Sequence, residues 1–448
     1  MAWPAPNDYA DAVQRPRVFL EDEELRGGQV ERTPLGLPMV WSGNFADVYK
    51  IHCPATSNTW ALKCFTRRVP GQQERYRQIA AHLDQAKLPF TVDFQYIEQG
   101  IRVGGERFPV LKMRWVEGLM LNQFVEEHIE RPGNLKMVLD LWVKLAARLR
   151  QAEIAHADLQ HGNVILVPTG GGSLALRLID YDGMYVPALA GSRSGEVGLP
   201  AYQHPQRIRE GTYDGEVDRF SHLVIYTAIR CLMVGRSALW NRFNTGENLL
   251  FRETDLCRPE ASQLFDVLWR IGDADARSLV GRLILACRRP LGESPLLQEL
   301  VATDGQVLPL SGNERTEVEA VLGVEAVPAA TPYSTGPIEA ATPMPPMAAE
   351  QQPPEQPPQI AAPPHGETEP VVPGAFEEFL DAVHQLPAPS VARPRKKPGS
   401  QEYLGPIRRL WKRLGAVSRP VGQTVLLSIP NRGPYGAGDA RGPRVPRR

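Results

Sequence analysis

From Leu37 to Trp115 the apolar residues fall in short β-branched or aromatic runs broken by turns: L-P-M-V-W, A-D-V-Y-K-I-H-C, T-W-A-L-K-C-F and R-F-P-V-L-K-M-R-W-V. That pattern predicts strands, interrupted by one helical stretch over 72–86. From Leu121 onward the spacing becomes helical, through 135–152, 217–235, 262–270 and 276–288. A small β-rich part followed by a larger helical one is an α+β arrangement and predicts two lobes with a cleft between them. Residues 325–375 then hold 14 prolines among Ala, Gln, Glu and Thr. Such a stretch buries too little apolar surface to offset its ordering entropy and is expected to be disordered. Two amphipathic islands follow. Phe376, Phe379, Leu380 and Val383 recur at helical spacing between Glu377, Glu378 and Asp381. Ile407, Leu410, Trp411 and Leu414 oppose Arg408, Arg409, Lys412 and Arg413, with Pro406 opening and Gly415 closing the segment. The expected organisation is an extension (1–35) carrying Trp3, Tyr9 and Phe19 that packs on the small lobe, a folded part (36–305, dividing near 115/116), a Pro-rich linker (306–374) and a basic tail (375–448).

Composition adds an asymmetry. The 50 Lys and Arg nearly cancel the 51 Asp and Glu over 448 residues. Yet residues 388–448 carry 14 basic residues against only Glu402 and Asp439, leaving 36 basic and 49 acidic in 1–387. A basic tail on an acidic body suits an anionic partner, and a membrane surface, nucleic acid and the acidic body itself are the three candidates. The longest apolar stretch, near 223–235, contains Arg230 and falls short of the ~18 residues a membrane span needs. The first residues show no basic segment followed by an apolar run, and the five cysteines form no C-x-x-C pair. A cytoplasmic protein with reduced thiols and no transmembrane segment is expected.

Candidate chemistry comes in a fixed order. The turn S-G-N-F-A-D-V-Y (42–49) joins two strand-like runs and can lay backbone N–H groups against phosphate oxygens, although Gly43 is its only glycine. Lys63 ends W-A-L-K on an apolar strand, where a buried ammonium must find an anion. Glu74, eleven residues on, opens the helical stretch and is the expected partner. The loop H-A-D-L-Q-H-G-N (156–163) sets Asp158 and Asn163 five apart across a tight turn. A carboxylate able to accept a hydroxyl proton thus stands beside an amide oxygen able to bind Mg²⁺. Asp180, at the end of the next strand but one, is a second hard-cation ligand. His156 is expected to be a structural hydrogen-bonder.

Over about residues 36–300 these motifs resemble the eukaryotic-like (Hanks-type) protein kinase superfamily. The likeness extends to M-R-W-V-E-G (113–118) as the inter-lobe hinge and to Asp180-Tyr181-Asp182 in place of Asp-Phe-Gly. It also covers G-L-P-A-Y-Q-H-P-Q (198–206), in place of a segment ending Ala-Pro-Glu, and a helix anchored by buried Asp218. The resemblance implies a bilobal kinase-like fold and transfer of the γ-phosphoryl group of Mg·ATP, with Ser or Thr of a protein as acceptor. It implies Asp158 and Lys63 as catalytic residues and Asn163 and Asp180 as Mg²⁺ ligands. ATP would lie against Ser42, Gly43, Asn44, Val48, Ala61, Lys63, Glu74, Met113 and Trp115. Departures fall on the acceptor side: Ala157 replaces arginine, Gln160 lysine, Leu199 threonine and Gln206 glutamate. Two alternatives stay open, a pseudokinase serving as a nucleotide-binding or interaction scaffold, and a small-molecule kinase on the same fold.

Overall fold

Alternation along the first strands sorts their side chains onto two faces. Strands β1 (Gln29–Val30), β2 (Val40–Ser42), β3 (Ala46–Cys53), β4 (Asn58–Phe65), β5 (Phe94–Val103) and β6 (Glu106–Arg114) form one antiparallel sheet, ordered β1-β3-β4-β6-β5 with β2 also on β3. The computed structural model describes residues 3–324 except 44, 195, 303 and 304; Asn44, most of the expected linker and both tail islands lie outside them. Tyr49, Ile51, Leu62, Cys64, Phe108 and Val110 face one way. They are covered by α1 (Pro6–Val13), α2 (Pro16–Phe19) and α3 (Glu23–Arg26) through Tyr9, Val13, Leu20 and Leu25. The Tyr9 hydroxyl donates to the Phe65 carbonyl at 2.6 Å, and Lys112 is held by Asp22 and Glu24. The N-terminal extension therefore packs on the sheet, as its aromatic residues predict.

The opposite face carries Ala46, Ala61, Phe65, Leu111 and Met113. Period-2 alternation puts Lys63 there too, between Ala61 and Phe65. Helix α4 (Gln72–Ala86), where the periodicity predicts it, lays Tyr76, Ile79 and Leu83 against this face.

The C-terminal part is helical around a small sheet of β7 (Leu119–Met120), β8 (Val164–Gly170) and β9 (Ser173–Leu178). Its helices are α5 (Leu121–His128), α6 (Pro132–Gln151), α7 (Pro205–Glu210), α8 (Asp218–Phe243), α9 (Glu253–Cys257), α10 (Gln263–Trp269), α11 (Ala274–Arg288), α12 (Leu297–Leu300) and α13 (Gly312–Leu322). Helix α8 is long and apolar enough to cross a membrane by length and composition, the only such helix among the described residues, but 67% of its apolar window is buried inside the protein. It is a core helix, broken at Arg236 (φ 47°, ψ −143°). Helix α13 lies inside the stretch read as linker, so the folded part runs past 305. A reciprocal cap between Ser311 and Glu314 opens it and Gly323 (φ 64°) closes it. Val318 and Leu322 pin it to the core.

Two buried histidines make this core pH-sensitive. Burial pushes both His222, edge-on to Trp142 at 5.6 Å, and His161 down to about 4. Each is neutral in the fold and binds protons more readily when unfolded. Their contribution is complete above the ordinary imidazole value near 6.5 and is lost as pH falls towards 4. The melting temperature is expected to drop over that window, and less steeply in His222→Phe; parallel curves for the two proteins would refute it.

Candidate functional site

The loop after α6 carries a strained residue. Ala157 sits at φ 62°, a region that costs non-glycine residues free energy and persists only where neighbours enforce it. The enforcer is Asp218 at the start of α8. Its carboxylate accepts hydrogen bonds from the backbone N–H of His156 and, at 2.9 Å, of Ala157. His156 is fully buried, with Nε2 2.9 Å from the Ile179 carbonyl and its ring edge-on to Tyr181. Its place is structural, as expected.

This arrangement delivers Asp158. Oδ1 accepts from the Leu199 N–H at 2.9 Å and Oδ2 from Asn163 Nδ2 at 2.9 Å. Burial raises the Asp158 carboxyl above the usual carboxylate range, and the hydrogen bond from Leu199 opposes the shift. Asn163 Nδ2 also donates to the Asp158 carbonyl, so its amide oxygen is the atom it can offer a cation.

Asp180, two residues beyond β9, is likewise at positive φ (64°). Its Oδ1 lies 2.7 Å from Lys63 Nζ. Tyr181 is fully buried and fastened through its hydroxyl, which donates to the Leu178 carbonyl at 2.8 Å and accepts from Val92 N–H at 2.7 Å. Asp182 then turns back, placing Oδ2 2.9 Å from Lys63 Nζ. Burial pushes both carboxyls up. At Asp180 the Lys63 charge overrides burial and the carboxyl lies low; at Asp182 burial, with Asp180 beside it, keeps the carboxyl raised. Burial pulls the Lys63 ammonium down, but the two carboxylates outweigh it and hold the ammonium above its ordinary value.

The expected Lys63–Glu74 pair is not formed. Glu74 is half-exposed and accepts from Arg77 and, at 2.7 Å, from Gln78 on its own helix. Helical geometry explains this. Tyr76, Ile79 and Leu83 define the buried face, and a residue two positions from Tyr76 points about 200° away. Tyr76, 1% exposed, instead donates its hydroxyl to Asp182 Oδ1, and Arg75 donates to the carbonyls of Asp182 and Met184, both at 2.9 Å.

Of the remaining residues expected to hold a nucleotide, Val48, Ala61, Met113 and Trp115 lie on the same face as Lys63. Val48 pairs with Lys63 in register and Ala61 with Met113, which is 6% exposed. Ser42 and Gly43 are exposed at the turn, where Gly43 N–H donates to the Ala46 carbonyl at 2.9 Å. Trp115 lies against Trp41, ring centroids 5.1 Å apart, with Lys50 Nζ 4.9 Å from its ring.

The departures on the other side of Asp158 also find places. Gln160 turns back on its own loop, accepting from Gly162 N–H at 3.1 Å. Leu199 serves through its backbone. Gln206 accepts from Leu291 N–H at 2.8 Å, joining the segment to a late loop without an ion pair. Beneath lie Gln203 and Arg207, both fully buried, the guanidinium donating to the Gln203 side-chain amide oxygen. A Cβ on Gly198 (φ 83°) would sit 2.7 Å from Asp158 Oδ1 and 2.8 Å from Gln203 Nε2, so only glycine fits there. Glu196 adds a further carboxyl; burial, then Asp182 and Asp180, push it up to about 7.

Sequence patterning reached Lys63, Asp158, Asn163 and Asp180 but missed Tyr76, Asp182, Gln203 and Arg207. For Tyr76 a signal existed, since it shares the i, i+3, i+7 face with Ile79 and Leu83. No protein-family model matches this chain, and no curated protein sequence matches it either.

Proposed function

We propose that the chain is an ATP-dependent phosphotransferase with a bilobal protein-kinase-like fold, acting on serine or threonine of a protein. The observation that carries this reading is the convergence of two pairs from distant parts of the chain, Lys63 on Asp180 and Asn163 on Asp158, with Asp180 near enough for its charge to act on Asp158. Mg²⁺ typically binds one or two protein oxygens and completes its shell with phosphate and water, so Asp180 and the Asn163 amide oxygen form a suitable pair. Mg·ATP would supply the phosphoryl group. Lys63 has three N–H donors; two are taken by Asp180 and Asp182, which leaves one for a phosphate oxygen. Asp158, oriented from both sides and raised by burial, would accept the acceptor's hydroxyl proton. Catalysis of this kind is largely positioning and charge neutralisation.

The test is transfer of labelled phosphate from Mg·ATP to the protein itself and to a mixed protein substrate. Label in wild type, and none in Asp180→Asn, supports the reading. A second reading, a nucleotide-binding pseudokinase, is favoured by the Trp41–Trp115 contact beside a glycine-poor turn. It predicts no label while ATP still raises the melting temperature. Small-molecule hydroxyl acceptors, tried in parallel, address a third.

Ser192 is exposed and Ser194 donates its hydroxyl to the Glu196 carbonyl. With Ala157 in place of arginine, no cation at that position awaits a phosphate on this segment. Ser192→Ala combined with Ser194→Ala is expected to leave transfer unchanged, and a loss of about tenfold, 1.4 kcal/mol in barrier, would refute this.

A further inference from the structure

We propose that Asp182 does the work expected of a carboxylate on helix α4: it holds Lys63 and, through the Tyr76 hydroxyl, makes the placement of that lysine depend on the placement of α4. The consequence for nucleotide binding rests on the phosphotransferase reading above; the contacts do not.

The two carboxylate oxygens of Asp182 divide the task. Oδ2 takes Lys63 Nζ at 2.9 Å and Oδ1 takes the Tyr76 hydroxyl. The Asp182 side chain is 15% exposed and that of Lys63 14%, so the pair is shielded from water, where charge-assisted hydrogen bonds are strongest. Helix α4 also grips the Asp182 backbone. Arg75 donates to the carbonyls of Asp182 and Met184 and to the Tyr213 hydroxyl, at 2.9, 2.9 and 2.8 Å. A shift of α4 must therefore carry Asp182, and with it Lys63. Glu74 cannot substitute without rotating the helix, which would pull Tyr76, Ile79 and Leu83 out of the core. Tyr76 and Asp182 explain one another. A tyrosine where α4 faces the lysine supplies no charge, and an aspartate two residues after Asp180 restores it from the other side. Asp182 is a positioning residue, acting through Lys63.

A double-mutant cycle in the full chain tests the contact. Melting temperatures are compared for Lys63→Met, Asp182→Asn and the pair, and again with Glu74→Gln in place of Asp182→Asn. Non-additivity for Lys63 with Asp182, and additivity for Lys63 with Glu74, is expected; the reverse pattern overturns the proposal. The functional arm is the Kd for Mg·ATP by calorimetry. Asp182→Asn should weaken it by roughly tenfold to a hundredfold, the loss of one charge-assisted hydrogen bond, whereas Glu74→Gln leaves it unchanged. Tyr76→Glu with Asp182→Gly returns the carboxylate to α4 and should recover most of that affinity. If that pair does not fold, Asp182→Glu replaces it: retained binding supports the proposal, and a loss equal to that of Asp182→Asn overturns it. Coupling of Lys63 to Asp182 in a wild type that binds no Mg·ATP would uphold the relocated ion pair and sink the phosphotransferase reading.

Discussion

Asp158→Asn is expected to reduce labelled phosphate transfer from Mg·ATP by about 10²- to 10⁴-fold, the usual worth of a positioned general base. The fold should barely notice. Asparagine fills the same volume but offers one oxygen where the carboxylate offers two, so either the Leu199 N–H or the Asn163 amide loses its acceptor. That costs about 1–3 kcal/mol. Against it stands relief of a carboxylate whose charged form burial disfavours. The two effects oppose each other, and the melting temperature should move little while transfer collapses. Quantified transfer beside a thermal melt separates them. Wild-type transfer rates in the variant would remove Asp158 from the chemistry.

The second large effect concerns the same loop from below. Asp218→Ala strands the backbone N–H groups of His156 and Ala157, both fully or nearly fully buried, with no acceptor in their place. Each unsatisfied buried donor costs about 1–3 kcal/mol. Ala157 also loses the contact that enforces its left-handed backbone, and relaxation there turns Asp158 away from Leu199 and Asn163. A loss of about 2–5 kcal/mol is expected together with loss of transfer. Asp218→Asn, which keeps one acceptor oxygen, should fall between. Urea melts of the three proteins give the ordering, and equal stability of Asp218→Ala and wild type would show that the loop stands without this anchor.

Both predictions depend on residues legible in the chain. Asp158 and Asn163 stand out because their spacing from flanking apolar runs places them at a tight turn, where local chemistry largely fixes what such residues can do, whereas Asp218 is singled out only by the family resemblance. The pairing of Lys63 was not legible. Its distance from Glu74 along the chain suggested a partner, but partnership depends on which way α4 is rotated, and that is decided by how Tyr76, Ile79 and Leu83 seat in the core. Helix α13 shows a related limit. Few of its residues face the core, so periodicity alone left it in the linker.

The sequence by itself determined the α+β order of elements, the helix over 72–86 and the tight turn that carries Asp158 and Asn163. Each of these follows from near-neighbour spacing, which the backbone converts directly into strand faces, helix faces and turns. The tertiary structure alone decided that Asp182 holds Lys63, that Tyr76 joins them to α4, and that Gln203 and Arg207 lie buried beneath Asp158. Those contacts join segments tens to more than a hundred residues apart. Their geometry is set by how whole elements pack, and no local spacing encodes it.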